Sequence, residues 1–306
     1  MENKKLINKK KVCFVTSTRA DYGLLKDLIK KSYKEKNIIT KVIACGTHFS
    51  PKFGSTFKEI MHDKIKIDFA IKIKIDDDSP FGSSSYFSKF SHELNKTIKQ
   101  VKPNILILLG DRFEILAAAS IAVIHRIPIC HLHGGEETLG AIDNSIRHAI
   151  TQLSSIHFVS HKRHKSKVIK MGAETKNVHY VGALGLNSIK KNNKIKKSKI
   201  EKLINNKLNS KRLIVTYHPV TLVKNSNKDI IELLNAIKYF NFVTFLFTAP
   251  NMDTNHNHII NKILKFVKSN KNSYFVKSLG KDLYIKTLKN FDGIVGNSSS
   301  GIIEYI

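Results

Sequence analysis

The feature of this chain that most constrains its fold is the regular alternation of short apolar runs with longer amphipathic stretches. The runs are rich in β-branched residues and have the length of buried strands. They lie at residues 12–16, 41–44, 105–109, 129–131, 156–159, 213–217, 242–247 and 293–295. This alternation predicts βα units built around parallel sheets, and hence an α/β fold.

One segment follows a different pattern. Residues 64–76, KIKIDFAIKIKID, alternate polar and apolar side chains. Because successive side chains of a strand point to opposite faces, this segment is predicted to be a strand with one face in solvent. The stretch DDDSPFGSSS, residues 76–85, is predicted to be a loop.

A change in composition near residue 188 predicts a domain boundary. Residues 190–212 are polar and nearly free of large side chains before a new apolar run begins. A chain of 306 residues is long enough for two medium-sized domains. We therefore place one Rossmann-like lobe at residues 1–185 and a second at residues 186–306. The second has room for only a few βα units and ends inside a predicted helix, so we expect it to be incomplete.

The formal net charge of +28 raises the hypothesis of a nucleic-acid-binding protein. Two observations argue against it. Only six of the 52 cationic residues are arginine, and the lysines are spread along the whole chain without a basic helix interleaved with aromatic residues. We interpret most of this charge as a solvated surface, whose positive field attracts a small anionic substrate such as a nucleotide sugar.

No segment predicts a membrane span or a secretory signal. The longest apolar stretch, residues 115–124, is about half the length that a bilayer requires. The N-terminus is polar and lysine-rich, without a cleavage site, so we expect a cytoplasmic protein with no membrane partner. Cys13, Cys45 and Cys130 occur singly in apolar surroundings, which predicts buried core residues rather than a disulfide framework or a zinc site.

In open parallel sheets ligands bind beyond the carboxyl ends of the strands, so the loops after strands are the candidate sites. The first such loop is TSTRADYG, residues 16–23, which opens a predicted helix. Free N–H groups at a helix start, with Arg19 beside them, suit a phosphate group. The alternative is that Asp21 caps the helix and Arg19 lies at the surface.

The second candidate loop is LLGDRFE, residues 108–114, which ends a fully apolar strand. The Asp111 carboxylate is expected to project from the sheet edge into the ligand crevice. The alternative is that Asp111 caps a helix beginning near Phe113, while Arg112 pairs with Glu114.

The third candidate, ICHLHGGEETLGAIDNSIRHAIT at residues 129–151, concentrates titratable side chains where a strand gives way to a helix. Two glycines permit a tight turn between His133 and Glu136. Asp143 and Arg147 are four residues apart on the predicted helix, so they share one face. The simpler interpretation is a surface ion pair beside a histidine. The His-x-His spacing lacks the third ligand that a metal site needs.

The second half of the chain contributes three more strand exits. They are VTYHPVT at residues 215–221, which carries His218, APNMD at residues 249–253, and VGNSSSGIIE at residues 295–304. In the last, serine hydroxyls and free N–H groups at a helix start form a cradle for an anion, and Glu304 is placed to bind a ribose diol. A plain serine N-cap is the alternative.

Taken together and in this order, the motifs TSTRADYG, LGDRFE, HLHGGE, IDNSIRHAIT, HPVT and GNSSSGIIE resemble the hydrolysing UDP-N-acetylglucosamine 2-epimerases of sialic-acid biosynthesis. The resemblance spans nearly the whole chain. It implies a GT-B-type fold with two Rossmann-like lobes, parallel sheets and a UDP-sugar in the cleft between them. It also implies a homo-oligomer and a chain that lacks the last segment of its second lobe.

The resemblance implies anti elimination of UDP from UDP-N-acetylglucosamine to give 2-acetamidoglucal, followed by addition of water to give N-acetylmannosamine. Such an enzyme is a hydrolase acting on an O-glycosyl bond, and no nicotinamide, metal or other cofactor is expected. Elementary chemistry agrees, because the C2 proton is scarcely acidic. Cleavage of the C1–O bond must therefore lead, and carboxylates stabilise the positive charge that develops on the sugar.

Carried over to this sequence, the resemblance assigns proton transfer and cation stabilisation to three carboxylates whose individual roles stay open: Asp111, Glu136 and Asp143. Arg147 is placed to orient them. Relatives have either Glu or His at the position of His133, so His133 and Glu136 remain alternatives for one role.

A further set of positions is implied to contact the nucleotide or its phosphates: Arg19, Arg112, His218, Asn251, Ser298, Ser299 and Glu304. His218 is also implied to assist the departure of UDP. Three of the six arginines, Arg19, Arg112 and Arg147, fall in the motif loops although lysine supplies nearly every other cation. This distribution indicates anion recognition, where a planar guanidinium outperforms a point charge.

Other functions stay open. A hydrolysing epimerase acting on UDP-N,N'-diacetylbacillosamine, toward legionaminic acid, is the nearest alternative, because nothing in the sequence fixes the substituents at C4 and C6. Non-hydrolysing epimerases typically have HVEAGLR and PEExNR where this chain has HLHGGE and IDNSIRH, which favours release of the free sugar. A GT-B glycosyltransferase would need an acceptor in the same cleft. A nucleic-acid-binding protein is disfavoured, because clustered carboxylates repel a polyphosphate.

Overall fold

The computed structural model describes residues 9–74, 77–186, 195–220, 226–250, 256–298 and 300–303. Within these ranges the first lobe contains seven strands and six α-helices. The strands are β1 (Lys10–Thr16), β2 (Ile38–Ala44), β3 (Phe69–Ala70), β4 (Ile105–Leu109), β5 (Ile129–Leu132), β6 (Ile156–Val159) and β7 (Val178–Tyr180). The helices are α1 (Arg19–Ser32), α2 (Phe57–His62), α3 (Pro80–Val101), α4 (Phe113–Ile124), α5 (Asp143–Leu153) and α6 (Lys162–Lys170).

The second lobe continues the same alternation within the described residues. Its strands are β8 (Lys211–Thr216), β9 (Val243–Thr248), β10 (Ser273–Val276) and β11 (Gly293–Gly296). Its helices are α7 (Lys197–Ile204), α8 (Ser226–Ile237), α9 (His256–Ser269), α10 (Gly280–Leu288) and α11 (Ser300–Ile303). None of the described helices combines the length and the apolar character needed to cross a bilayer.

Both sheets are parallel. The first has the order β3-β2-β1-β4-β5-β6-β7 and the second has the order β10-β9-β8-β11. Parallel strands need crossover connections, which the intervening helices supply. The predicted α/β fold class with two parallel sheets is confirmed. The domain boundary at residue 185 stays a prediction, and residues 187–194 lie outside the described part of the chain.

The core of the first lobe lies on both faces of its sheet. Cys13 and Val15 of β1 pack into one apolar cluster with helices α3 and α4. Phe14, between them, packs into a second cluster on the opposite face with α1. This two-sided burial explains why the strands are apolar at nearly every position. The three cysteines are free and buried, as predicted.

The prediction of a long strand at residues 64–76 was wrong. Of residues 64–74, the part of that segment that the structure describes, only β3 pairs with the sheet, at two positions of β2. The alternating exposure does persist, since Ile65 and Ile71 are buried while Lys66 and Lys72 are exposed. The alternating pattern therefore predicted which side chains are buried. It could not show whether a neighbouring strand is present for the whole segment to pair with, and β2 ends at Ala44.

The lobes meet where α1 and α2 of the first lobe contact α10 of the second. Lys26 of α1 forms an ion pair with Asp282 of α10 at 2.9 Å. The backbone N–H of Lys281 donates to Glu59 Oε1 at 3.1 Å. These contacts hold the carboxyl ends of the two sheets facing each other, which positions the site.

Candidate active site

The carboxyl ends of both sheets open onto one cleft between the lobes, with a cavity volume of about 260 Å³. The loops after β1, β4, β5, β8, β9 and β11 all contribute to its walls. The cleft is lined by nine of the predicted site residues: Arg19, Asp111, Arg112, His133, Glu136, Asp143, Arg147, His218 and Ser298. Three others lie outside the described residues: Asn251, Ser299 and Glu304.

Asp111 and Arg147 form an ion pair across neighbouring elements. Asp111 follows Gly110, whose φ of 82° turns the chain out of β4 in a conformation that favours glycine. The Arg147 Nη2 atom donates to Asp111 Oδ2 and, at 3.0 Å, to Thr138 Oγ1. Its Nε and Nη1 atoms are buried without a partner among the described residues. Buried donors of this kind point to a ligand or water that completes their hydrogen bonds.

His133 and Glu136, which the sequence left as alternatives, both line the cleft and contact each other. The His133 Nδ1 atom lies 2.9 Å from Glu136 Oε1. The Leu184 backbone N–H donates to His133 Nε2 at 3.4 Å. Because Nε2 accepts a hydrogen bond, Nδ1 is the nitrogen that donates to the Glu136 carboxylate.

Glu136 is held in its ionised form. Burial by itself raises the pKa of this carboxyl group. The hydrogen bond from His133 and its nearby charge, the hydrogen bond from Ser160 and the charge of Arg147 outweigh burial and bring the pKa of Glu136 down to about 2. At neutral pH Glu136 is therefore a carboxylate that can stabilise a cation, and a proton that it takes up is readily lost.

His131 faces away from this chemistry and holds two elements together. Its Nε2 atom lies 2.8 Å from the Gly110 carbonyl oxygen, and its Nδ1 atom lies 3.2 Å from Thr151 Oγ1. Burial lowers the pKa of His131 to about 3, so the ring is neutral. Both ring nitrogens are thus engaged by the fold, and His131 does not act together with His133.

The loop after β1 is organised around a buried carboxylate. Thr18 is the N-cap of α1, and Asp21 completes a capping box three residues later. Asp21 also accepts a hydrogen bond from the Ser17 backbone N–H at 3.0 Å. The alternative prediction that Asp21 is itself the N-cap was wrong by three positions. Arg19 reaches the other lobe, where it donates to Ser278 Oγ at 2.9 Å.

Arg112 combines the two interpretations considered for it. Its Nε atom lies 3.3 Å from Glu114 Oε2 in a buried ion pair, while the residue also lines the cleft. Burial raises the pKa of Glu114, and the Arg112 charge opposes that rise. The N-cap of α4 is Arg112 itself, without a side-chain capping bond, so Asp111 does not cap that helix.

The second lobe supplies hydroxyl and amide groups. Asn297 clamps the backbone of His218: its Oδ1 accepts from the His218 N–H at 2.7 Å, and its Nδ2 donates to the His218 carbonyl at 2.9 Å. Ser300 links Tyr284 and Ser298, at Oγ–Oη and Oγ–Oγ distances of 2.6 and 3.1 Å. The exits of β8 and β11 are thereby fixed against each other.

Several cleft or supporting residues escaped the sequence analysis, among them Ser160, Lys281, Tyr284 and Asn297. Ser160 and Asn297 each directly follow a strand, the position that identified the other candidates. Lys281 and Tyr284 lie after β10. Because the sequence analysis did not predict that strand, the loop after it was not identified as a candidate site.

Two parallel sheets that face each other across a cleft at their carboxyl ends define an α/β protein of GT-B-like architecture. The solved UDP-GlcNAc 2-epimerase of Methanocaldococcus jannaschii, in complex with UDP-GlcNAc and UDP, has a similar structure with a TM-score of 0.76. It is 18% identical and the match covers 94% of this chain and 79% of that one. At this identity the similarity establishes the shared fold.

The chain belongs to the UDP-N-acetylglucosamine 2-epimerase family, whose family model matches residues 30–305. It is 38% identical to the GDP/UDP-N,N'-diacetylbacillosamine 2-epimerase (hydrolyzing) of Campylobacter jejuni, over 97% of this chain and 78% of that protein. It is 32% identical to the UDP-N,N'-diacetylbacillosamine 2-epimerase (hydrolyzing) of Legionella pneumophila, over 96% of this chain and 78% of that protein. The resemblance to hydrolysing 2-epimerases is confirmed.

Proposed function

We propose that this protein hydrolyses UDP-N,N'-diacetylbacillosamine with inversion at C2, releasing UDP and the free 2-epimer. The names of the two relatives favour this substrate over UDP-N-acetylglucosamine, the principal sequence prediction. The observation that carries the proposed chemistry is that one cleft brings the two lobes' side chains together. Asp111, Glu136 and Asp143 of the first lobe line it together with three residues of the second lobe: His218, Ser298 and Ser300.

The first step is loss of UDP. The C1–O bond breaks ahead of the C2–H bond, because the C2 proton is not adjacent to a carbonyl group. Positive charge then develops on the sugar, and ionised carboxylates in a partly buried cleft stabilise it better than water does. Glu136 is ionised there, and Arg147 holds the Asp111 carboxylate in place.

The second step is hydration. Water adds at C1 of the unsaturated sugar while a proton returns to C2 from the opposite face, which sets the 2-epimer. This needs one group that takes a proton and another that gives one. Three carboxyl groups around the sugar meet that need, and we leave the division of roles among Asp111, Glu136 and Asp143 open.

The diphosphate lies, in this proposal, against the second lobe. Ser298 and Ser300 present hydroxyls beside the start of α11, and His218 is fixed at the exit of β8. Neutral donors hold a diphosphate without forming a permanent ion pair, so the UDP can leave after each turnover. Arg19, between the lobes, adds a cation.

The experiment is a comparison of two substrates. We expect UDP and a free 2-epimerised sugar from both, with a higher kcat/KM for UDP-N,N'-diacetylbacillosamine than for UDP-N-acetylglucosamine. The opposite ranking would restore the principal sequence prediction. A UDP-linked 2-epimer would indicate a non-hydrolysing epimerase, and turnover only with an added acceptor would indicate a glycosyltransferase.

The remaining sequence predictions concern assembly and location. We propose a homo-oligomer in the cytoplasm. Light scattering of the purified protein tests the first, since a mass of one chain contradicts it. Fractionation of cells that express the protein tests the second.

A further inference from the structure

A chain of hydrogen bonds leads from the cleft carboxylate Glu136 to the outer surface of α6. Ser160, directly after β6, donates its hydroxyl proton to Glu136 Oε1 at 2.5 Å. The same hydroxyl oxygen lies 2.9 Å from His164 Nδ1. His164 is partly exposed, and its ring packs edge-on against that of the exposed His161, with centroids 5.8 Å apart. The chain thus begins in the cleft and ends at solvent.

The donors and acceptors in this series of hydrogen bonds are mutually consistent. A serine hydroxyl has one proton, and here Glu136 receives it. Ser160 must therefore accept from His164, which requires a proton on Nδ1 of the resting ring. The result is an ordered sequence in which His164 donates to Ser160 and Ser160 donates to Glu136.

We infer that Ser160 and His164 form a proton relay that returns Glu136 to its carboxylate form in each turnover by carrying its proton to solvent. The inference rests on the proposed function, and among the three carboxylates it assigns to Glu136 the proton that remains after each turnover. Ser160 and His164 act through Glu136 and are relay residues that do not touch the sugar.

The proton balance of the proposed reaction requires such an outlet. When the C1–O bond breaks, UDP keeps the electron pair and a cleft base takes the C2 proton. In hydration the water oxygen bonds to C1, the water gives one proton to a cleft base, and C2 receives one from a cleft acid. Two protons are taken up and one is returned, so each turnover leaves one surplus proton on the cleft groups.

The relay step conserves every atom. Once Glu136 is protonated, the partly exposed His164 ring first changes tautomer through water: water protonates Nε2, and Nδ1 gives its proton back to water. The Glu136 O–H bond then breaks as its proton moves to Ser160 Oγ, while the Ser160 proton moves to the vacated Nδ1 of the His164 ring. The Nε2 proton then passes to water. The end state has an ionised Glu136, an intact serine and the Nδ1 proton of the resting network.

The direction of transfer follows from the surroundings of the two ends. The pKa of Glu136 is about 2, so the protonated acid gives up its proton readily. Burial lowers the pKa of His164 from 6.5, which keeps the ring neutral and able to accept. The negative charge of Glu136 raises the pKa of His164. The positive charges of three neighbours lower it: His161, Arg147 and His133.

The test uses three substitutions of the relay in the full chain. We expect His164→Ala to lower kcat about tenfold or more in a dilute buffer of low pKa, with imidazole restoring the rate. His164→Asn retains a hydrogen-bonding group but transfers no proton, so it should show the same loss. Ser160→Ala should show the loss without rescue by imidazole. The affinity for UDP, measured by calorimetry, should stay at the wild-type value in all three.

Ser166→Ala is the matched control, because Ser166 lies on the same helix and, among the described residues, its hydroxyl bonds only the Lys162 carbonyl, at 3.3 Å. We expect it to behave as wild type. A wild-type rate in His164→Asn, or a rate of His164→Ala that imidazole does not change, overturns the relay. The proposed function still stands in that case if the wild-type protein releases UDP.

A measurement without substrate separates failure of the relay from failure of the proposed function. In the free protein, Glu136→Gln should lower the pKa of His164, followed by NMR, since it removes a nearby negative charge. An unchanged His164 titration contradicts the relay whether or not the enzyme releases UDP. Absence of UDP release by the wild type, with either substrate, contradicts the proposed function.

Discussion

On the first-lobe wall of the cleft, charged side chains are held by partners in their own lobe, with the exception of Arg19, which donates to Ser278. On the second-lobe wall, the described residues present mainly hydroxyl and amide groups. Arg147 holds Asp111, and His133 and Ser160 hold Glu136. On the other side Ser300 joins Ser298 to Tyr284, and Asn297 clamps His218 through its backbone. Among the described residues that line that wall, Lys281 is the charged exception.

This difference indicates a division of labour. Fixed charges contribute most where charge develops during reaction, because they need no reorganisation at that moment. Neutral donors bind a diphosphate similarly before and after the bond breaks, and uniform binding of this kind changes KM more than kcat. Substitutions in the first-lobe wall should therefore lower kcat, and substitutions in the second-lobe wall should raise KM.

The largest effect is expected from Asp111→Asn. Asparagine neither takes a proton nor pairs ionically with Arg147, so kcat should fall about a hundredfold or more. UDP affinity, set by the other wall, should change little. Steady-state UDP release and calorimetry measure the two quantities. Ser145→Ala, an exposed position on α5, is the control, and a wild-type kcat in Asp111→Asn would remove Asp111 from the chemistry.

The next effect tests the opposite wall. The double substitution Ser298→Ala and Ser300→Ala removes two hydroxyls beside the start of α11, and KM should rise about tenfold because donors to a charged group are lost. The value of kcat should stay close to that of the wild type. Ser269→Ala serves as the control, because among the described residues its hydroxyl bonds only the Phe266 carbonyl of its own helix. A fall in kcat at constant KM would reverse the assignment of the walls.

A smaller effect is expected from the clamp on His218. Asn297→Ala removes two hydrogen bonds and should lower kcat/KM about fivefold, the value of roughly one net hydrogen bond. Asn297→Asp keeps the acceptor for the His218 N–H but turns an oxygen toward its carbonyl, so it should not restore the rate. Asn290→Ala is the control: among the described residues its side chain donates to the Lys286 carbonyl near the end of α10, at 2.7 Å, and the substitution should leave kcat/KM unchanged. Full activity in Asn297→Asp would show that one of the two bonds suffices.

The smallest effect concerns stability and acid. Burial lowers the pKa of His48 to about 4 and that of His131 to about 3. The unfolded chain, with an ordinary histidine pKa of 6.5, therefore binds more protons than the fold does. Stability is fully present above pH 6.5 and falls as the pH drops, until the folded pKa is reached. Each histidine should lower the free energy of unfolding by about 1 kcal/mol between pH 7.5 and 5.5.

Urea unfolding at the two pH values measures this loss. His48→Gln retains groups that can bond Thr16 and Thr56, the partners of the ring at 2.9 and 2.8 Å, but does not titrate. Its pH dependence should be shallower than that of the wild type. Equal slopes would mean that His48 is not the proton-linked group. Both histidines belong to the first lobe, so acid should weaken that lobe first.

The sequence predicted the parts of the site that depend on topology alone. Because parallel strands end at the same edge, Asp111 and Glu136 had to meet there once β4 and β5 were recognised. Partner choice was less predictable. The residues alone offered an ion pair of Arg147 with Asp143 as the simpler interpretation, and the resemblance implied that Arg147 orients three carboxylates; in the structure it binds Asp111 on the neighbouring strand exit. Contacts such as Asn297 with His218 join segments 79 residues apart in sequence, and no local pattern encodes them.

The most direct test of the account follows C2 of the sugar. The protein is incubated with UDP-N,N'-diacetylbacillosamine in deuterated water, and the released sugar is examined by NMR. Elimination and rehydration in the cleft predict free UDP and a 2-epimer with deuterium at C2. A released sugar that keeps its original hydrogen at C2 would contradict proton removal from that carbon and, with it, the proposed role of the carboxylate wall.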